Sequence, residues 1–150
     1  MRTFIIIFLG LGNLTVHGQV TNTTHRDETN IYYHALDTAV KIVQTKVRPK
    51  NIIVEGDAFN RLPDNMLGIT ILKSKGQKRI KDKDADAVVT IDRVEVEKGE
   101  FKIFVQLWTI ENGVRRVLEK GFGSYSFDYE FVPDDHSFRL IRIDKSIIIR

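Results

Sequence analysis

The strand predicted at residues 100–111 is apolar on both of its faces. Alternate residues of a strand point to opposite sides. Two sets of apolar side chains therefore share the strand, one on each face: Phe101, Ile103, Val105 and Leu107 on the first, and Phe104, Trp108 and Ile110 on the second. A strand with this pattern is typical of the middle of a sheet. We expect a central strand with apolar cover over part of each side.

Residues 31–47 carry the clearest helical period in the chain. Apolar residues recur there at spacings of three and four: Tyr32, Leu36, Val40, Val43 and Val47. Such a stripe packs one face of an amphipathic helix against a core. Asn30 or Thr29 can cap the start, and Pro49 disfavours helical geometry in the residue before it. The sequence predicts one helix here, lying across the sheet.

Short apolar runs separated by turn residues predict the rest of the sheet. Strands are expected at 51–54 and 138–143, and the run at 66–72 fits a strand or a short helix, with a strand at 68–72 preferred. Residues 73–86 mix basic and acidic side chains and predict a solvated loop. From residue 87 the pattern is an antiparallel meander with tight turns at Lys98-Gly99 and Asn112-Gly113, and with a bend at Gly121 and Gly123.

The predicted fold class follows from this order of elements. It is α+β: one N-terminal helix packed on a curved antiparallel sheet of about five to six strands. We find no repeat or linker that would divide the chain, so residues 30–150 are expected to form a single domain.

Residues 1–18 have the organisation of a secretory signal peptide. Arg2 supplies a short basic region, the apolar run spans Phe4 to Leu11, and Val16 and Gly18 suit cleavage before Gln19. The apolar run is too short to cross about 30 Å of hydrocarbon as a helix. We expect cleavage after Gly18, a flexible leader over residues 19–29, and an exported protein, periplasmic or extracellular, without an integral membrane segment.

Composition and charge narrow the function classes further. The 23 basic and 20 acidic residues nearly cancel, leaving a net charge of +3, and no basic-aromatic motif accompanies them, so nucleic-acid binding is not expected. The chain has no cysteine, which excludes disulfides, thiol catalysis and cysteine-ligated metal sites.

The sequence contains no recognisable catalytic motif. A phosphate-binding loop, a nucleophile elbow and a paired-histidine metal motif are all absent. His136 is flanked by Asp134 and Asp135, but adjacent loop residues rarely converge on one ion. Asp128 and Glu130 are the candidate carboxylate pair, on a strand face that is expected to meet water. No catalytic residue, metal or cofactor is assigned.

Aromatic side chains supply the candidate ligand site. Tyr125, Phe127 and Tyr129 alternate with polar residues and share one strand face. They are expected either to form the core under the helix or to line the concavity of a bent sheet. Together with Phe104 and Trp108 they form the predicted ligand-binding set.

One helix followed by a curled antiparallel sheet resembles the cystatin and NTF2-like architectures. The chain is also similar to small exported proteins of Bacteroidetes-type bacteria without an assigned activity, in Tyr32-Tyr-His-Ala-Leu36, the Leu62-Pro63 turn and Tyr125-Ser-Phe-Asp-Tyr129. The inhibitory Gln-x-Val-x-Gly loop of cystatins is absent, because Gln106-Leu-Trp-Thr-Ile110 lies inside the central strand and lacks the glycine. No positions match the pocket Asp-His pair of NTF2-like enzymes. The resemblance therefore implies a fold and carries no activity.

The expected function is a non-enzymatic, exported domain that binds a small molecule, a peptide or a partner protein through its curved sheet. Two alternatives stay open. One is a small NTF2-like enzyme with Asp128 or Glu130 as its base, and the other is a protein inhibitor or immunity-type partner. A homodimer formed through the sheet is compatible with the binding hypothesis.

Overall fold

The computed structural model describes residues 29–56, 62–73, 80–119 and 123–146. The predicted signal peptide, nearly all of the leader, the bend at Gly121 and residues 147–150 lie outside the described residues. The described part contains one helix and eight strands: α1 (Ile31–Lys46), β1 (Asn51–Gly56), β2 (Asn65–Met66), β3 (Ile69–Lys73), β4 (Ala87–Glu97), β5 (Glu100–Glu111), β6 (Val114–Val117), β7 (Ser124–Val132) and β8 (Ser137–Ser146). A short 3₁₀ helix, Asp82–Asp84, precedes β4.

All eight strands form one sheet, so the predicted α+β class is confirmed. The strand order is β2-β3-β1-β4-β5-β7-β8, and β6 also pairs with β5. One edge of β5 pairs with β4, while the other edge pairs first with β7 and then with β6. Residues 100–111 thus form a strand with neighbours on both sides, as their doubly apolar pattern predicts.

The sheet differs from the prediction in size and in strand direction. It has eight strands rather than about five to six, and it is mixed, because β1 pairs in parallel with both β3 and β4. Alternation of apolar residues reports which faces are buried but not which way the neighbouring strand runs. The run Ile52-Ile53-Val54 is buried without alternation, which is typical of parallel strands covered on both faces.

The helix α1 covers one side of the sheet, which we call the helix face. Its start is capped by Asn30, whose side chain accepts a hydrogen bond from the backbone N–H of Tyr32 at 3.0 Å. Leu36, Val40 and Val43 of the predicted stripe are buried, while Tyr32 and Val47 at its two ends are partly buried. The helix ends at Lys46, one residue before the expected end. On the sheet side the core includes buried residues of β1, β3 and β4. It also includes two rows of fully buried side chains beside the groove: Ile103, Val105 and Leu107 of β5, and Tyr125, Phe127 and Tyr129 of β7.

The opposite side, the outer face, is covered at one end by residues 80–86. Ala85 packs against the buried Ile53 and Val88, and Trp108 is partly buried against this cluster. The prediction that residues 73–86 form only a solvated loop is therefore wrong for this part of the segment. The sequence does not predict this cover, because Ile80 and Ala85 are separated by charged residues and are too far apart to form a local apolar pattern.

Arg115 links this cover to the sheet, in addition to the hydrogen bonds that Asp86 makes with Lys50, Asn51 and Ile110. The guanidinium of Arg115 in β6 donates two hydrogen bonds to Glu55 at 2.9 and 2.7 Å, and two more to Asp82 at 2.8 and 2.7 Å. All three side chains are less than one third exposed. Paired hydrogen bonds between a planar guanidinium and carboxylates are both strong and directional. Arg115 therefore fixes the 3₁₀ helix against β1 and β6.

The turns confirm the predicted hairpins and add a third. The pairs Lys98-Gly99 and Asn112-Gly113 have positive φ at both positions, 51° and 85°, then 53° and 75°, as tight hairpin turns require. Leu67 and Gly68 have the same geometry, with φ of 52° and 80°, and connect β2 to β3. The strand predicted to begin at Gly68 therefore begins at Ile69.

Replacing Arg115 with Met should loosen the outer cover. Glu55 and Asp82 would then lose the hydrogen bonds and the positive charge that Arg115 supplies, and we expect the free energy of unfolding to fall by about 1–3 kcal/mol. The emission of Trp108, the sole tryptophan, should shift to longer wavelength as water reaches it. Urea unfolding and fluorescence spectra measure both effects.

The neighbouring Arg116 provides the matched control. It pairs with Glu111, and both side chains are 63% exposed, so Arg116→Met should change stability by less than about 0.5 kcal/mol. Equal losses in the two variants would show that Arg115 does not hold the cover.

Candidate functional site

A groove of about 720 Å³ lies on the helix face, between α1 and the two strands β7 and β8. The helix packs over β4 and β5, and among the described residues the neighbouring edge of the sheet is left partly open on this side. The residues that line the groove on α1 run from His34 to Lys46, about 18 Å of helix axis at 1.5 Å per residue. The groove is therefore long and follows the helix.

The floor of the groove is apolar. Leu140 and Ile143 of β8 line it and are 37% and 39% exposed. Their cross-strand partners on β7 are Tyr129 and Phe127, so their side chains share the helix face with the aromatic core. An aliphatic surface that is left open beside a packed core is suited to covering by another apolar group.

The groove begins at an aromatic end near the start of α1. The ring centroid of His34 lies 6.1 Å from that of Phe138 and 6.4 Å from that of Tyr129. The hydroxyl of Tyr129 is 3.0 Å from that of Thr38, and burial raises the pKa of Tyr129 above its ordinary value. At this end the two hydroxyls pair with each other, and the rings form the wall.

The other end of the groove is charged and centres on Glu119. Lys46 Nζ at the end of α1 lies 2.7 Å from Glu119 Oε1, and Lys145 Nζ of β8 lies 2.6 Å from Glu119 Oε2. The Tyr125 hydroxyl donates to the same Oε2 at 3.3 Å. The hydrogen bonds from Lys145 and then Lys46 lower the pKa of Glu119 to about 2. Three donors from separate elements thus converge on one carboxylate.

Tyr125 connects this charged end to the core. Its ring is buried beneath β8, and the Lys145 ammonium lies 5.9 Å from the ring centroid. Burial, followed by the nearby Glu119 charge, raises the pKa of Tyr125 to about 12. The hydroxyl therefore stays protonated at neutral pH and acts as a hydrogen-bond donor in the groove.

The structure divides the predicted ligand-binding set between the two faces of the sheet. Tyr125 and Tyr129 line the groove, and Phe127 between them is fully buried in the core and does not line it. Phe104 and Trp108 lie on the outer face. Trp108 packs under residues 80–86, and Phe104 is 38% exposed beside a separate hollow of about 420 Å³ whose other lining is largely polar.

Several groove residues are absent from the sequence prediction. Leu140 and Ile143 share a face although they are three residues apart, because the pairing of β7 with β8 shifts register between Asp128 and Tyr129. Such a bulge breaks the alternation that a sequence pattern relies on. Lys46, Glu119 and Lys145 have no local signal either, because isolated charged residues are usually solvated.

The candidate carboxylates lie on the outer face, away from the groove. Asp128 is only 1% exposed, so the prediction that it meets water is wrong. Its Oδ2 accepts a hydrogen bond from Arg142 Nε at 2.9 Å, and its Oδ1 has no hydrogen-bond partner among the described residues. Glu130 pairs with Arg139. Both arginines belong to β8 and lie opposite these carboxylates because β8 pairs with β7. The sequence of β7 alone cannot predict that pairing.

Metal ligands and membrane helices were sought in the same ranges. No three or more His, Cys, Asp or Glu side chains of the described residues are placed to hold a metal ion. Nor does that part of the chain include a helix with the length and apolar character needed to cross a membrane.

Comparison with known proteins adds no relative. No protein-family model, curated protein or solved structure matches this chain. The case for a function therefore rests on the geometry of the groove.

The Glu119 carboxyl should remain ionised until the pH falls to about 2, against an ordinary value of 4.5. A lowered pKa in the folded state means that the ion pairs stabilise the fold fully above the ordinary value. That contribution is lost as the pH falls through the lowered value. A carboxyl ¹³C NMR titration measures the pKa directly.

Lys145→Met tests the cause of the shift. It removes the nearer ammonium, and the pKa of Glu119 should rise toward its ordinary value in this variant. A wild-type Glu119 that titrates near 4.5 would contradict the described geometry.

Proposed function

We propose that this chain is an exported, non-enzymatic binding domain that holds a small, elongated and mainly apolar molecule in the groove between α1 and β8. The observation that carries the proposal is the open aliphatic floor of Leu140 and Ile143 in a groove of about 720 Å³. Ligand sites commonly measure about 300–1,000 Å³ and combine an apolar lining with a few polar groups.

The width of the sheet explains why such a groove exists. Seven strands lie side by side, about 29 Å across at 4.8 Å between neighbours. A single helix with its side chains is only about 10–12 Å wide. A helix placed over β4 and β5 cannot also cover β8, so the apolar residues of β8 are left for a ligand. Burying them would stabilise a complex by about 25 cal/mol for each Å² of apolar surface removed from water.

Two further parts of the proposal rest on the sequence. Export is supported by the signal-like pattern of residues 1–18 and by the predicted cut after Gly18. A likeness to cystatin or NTF2-like folds stays a proposal, supported by one helix lying across an extended sheet.

The arrangement of charges favours binding over catalysis by a carboxylate base. Asp128 and Glu130 each pair with an arginine, and both lie on the outer face while the groove lies on the helix face. A general base has to reach a proton of its bound substrate, and these two carboxylates are separated from the groove by the sheet.

Filling the groove should abolish binding. Thr45 lines the groove on the exposed side of α1, and Thr45→Trp places an indole between the helix and β8. We expect the affinity for the neutral fluorescent probe N-phenyl-naphthylamine to fall at least about tenfold, equivalent to 1.4 kcal/mol. Fluorescence titration measures the affinity, and circular dichroism confirms that the variant is folded.

The adjacent Gln44 offers a matched control, because it is exposed and does not line the groove. Gln44→Trp should leave the affinity within about twofold of the wild-type value. Equal affinities in the two variants, or no probe binding by the wild-type protein, would contradict the groove. Loss of binding in Trp108→Phe with Thr45→Trp unaffected would place the site on the outer face instead.

A further inference from the structure

We propose that the ligand of the groove carries a carboxylate at one end, and that this group takes over the contacts which Lys46 and Lys145 make to Glu119 in the free protein. The inference rests on the proposed function of the groove and specifies its ligand class. The ligand is an amphipathic molecule with a linear apolar body and a single anionic head, of which a fatty acid is the simplest example.

The contacts at Glu119 define the head-group site. Lys46 and Lys145 belong to α1 and β8, which form the two walls of the groove, and their ammonium groups lie 2.7 and 2.6 Å from the two oxygens of one carboxylate. The Tyr125 hydroxyl, at 3.3 Å, completes the set. This end of the groove therefore already accommodates a carboxylate. The two ammonium groups are spaced so that each contacts one of its two oxygens.

Both lysines can serve an incoming anion. Their side chains are 43% and 45% exposed, so an anion that enters the groove can reach both ammonium groups. A ligand carboxylate that replaces Glu119 restores the same charge-assisted hydrogen bonds. Glu119 then acts as an internal competitor that occupies the site until ligand arrives.

The charge of the groove selects the sign of the head group. Three lysines and two carboxylates line it, which leaves one positive charge. Lys41 is 2.6 Å from Asp37 and pairs with that residue, whereas Lys46 and Lys145 share the single carboxylate of Glu119. A cationic head would be repelled from this end, and a neutral head would not compete with Glu119.

Because the C-terminal end of α1 repels anions, a carboxylate can bind there only with the help of the two lysines. Lys46 lies in the last turn of α1, where the helix dipole attracts cations and repels anions. The dipole helps to hold the ammonium of Lys46 in place but opposes a ligand carboxylate. Anion binding at this end therefore depends on the lysine side chains, and removing one of them should weaken the affinity for the anion strongly.

The opposite end of the groove suits the tail of such a ligand. The wall there consists of the rings of His34, Phe138 and Tyr129, and the floor between the two ends is Leu140 and Ile143. The length along α1, about 18 Å, favours an extended chain over a compact ring system. An apolar body and one terminal carboxylate match the two ends.

Calorimetric titration with dodecanoate and with dodecanol, below their micelle or solubility limits at neutral pH, tests the inference. The wild-type protein should bind dodecanoate at least tenfold more tightly than dodecanol. Lys145→Met should weaken dodecanoate binding at least tenfold and leave dodecanol within twofold. Glu119→Gln removes the competitor, so dodecanoate should bind several-fold more tightly, again with dodecanol unchanged.

Lys41→Met is the control for a general loss of positive charge. Lys41 lines the groove but pairs with Asp37, so this variant should bind dodecanoate within twofold of the wild-type protein. Thermal unfolding confirms that each variant folds. Should Glu119→Gln fail to fold, the comparison of Lys145→Met with Lys41→Met decides the question alone.

Two failures can be told apart. Equal affinities for dodecanoate and dodecanol, equal losses in Lys145→Met and Lys41→Met, or weaker dodecanoate binding in Glu119→Gln would overturn the carboxylate inference. The groove itself would survive these results if Thr45→Trp still abolished binding of the neutral probe. If that probe did not bind, the proposed function would fail with the inference.

Discussion

The structure depends on burying a strand that is apolar on both faces. Ile103, Val105 and Leu107 of β5 are fully buried under the helix, while Trp108 on the other side packs under residues 80–86. Each cover removes apolar surface on one face of β5 from water, and this removal is the main favourable contribution to folding. The helix α1 covers the helix face through the packing of its apolar side chains. On the outer face, the ion pairs of Arg115 help to hold residues 80–86 in place.

The groove is a consequence of how unequally these covers are distributed. In the described part of the chain, the helix face has one helix for a sheet that is seven strands wide, so Leu140 and Ile143 of β8 lie on a surface that α1 does not cover. Charged residues are usual on an edge strand, because they discourage further pairing. The edge position of β8 therefore explains its charged residues but not its exposed apolar ones. On β8 the charged residues Arg139 and Arg142 serve the outer face, and Leu140 and Ile143 line the helix face.

The outer face near β7 and β8 is organised by charge instead. Glu95, Lys102, Asp128 and Arg142 lie opposite one another in register across β4, β5, β7 and β8. Neighbouring residues in this row have opposite signs, and cross-strand pairs of this kind contribute about 0.2–1 kcal/mol each. Alternating charges thus face one another along this row, and Asp128 is paired with Arg142, whereas the aliphatic floor of the groove is left open. The contrast between the two faces is why the groove is the better candidate for a ligand.

Elements that depend on neighbours in the chain can be predicted from local sequence alone. The helix from Ile31, the hairpin turns at Lys98-Gly99 and Asn112-Gly113, and the shared face of Tyr125 and Tyr129 all follow from local periodicity and backbone preference. Turn residues with positive φ and a helical stripe act over a few positions, so a single chain segment contains the whole signal.

Features that join distant segments follow only from the packing of the strands and the helix. The parallel pairing of β1, the burial of Asp128 and the convergence of Lys46, Lys145 and Tyr125 on Glu119 each need strands or helices to meet. A lone lysine or glutamate in a sequence has the same local pattern whether it is solvated or held in a site. The predicted aromatic residues became a groove wall because a separate strand, β8, lies beside them, and that neighbour is set by the packing of the whole sheet.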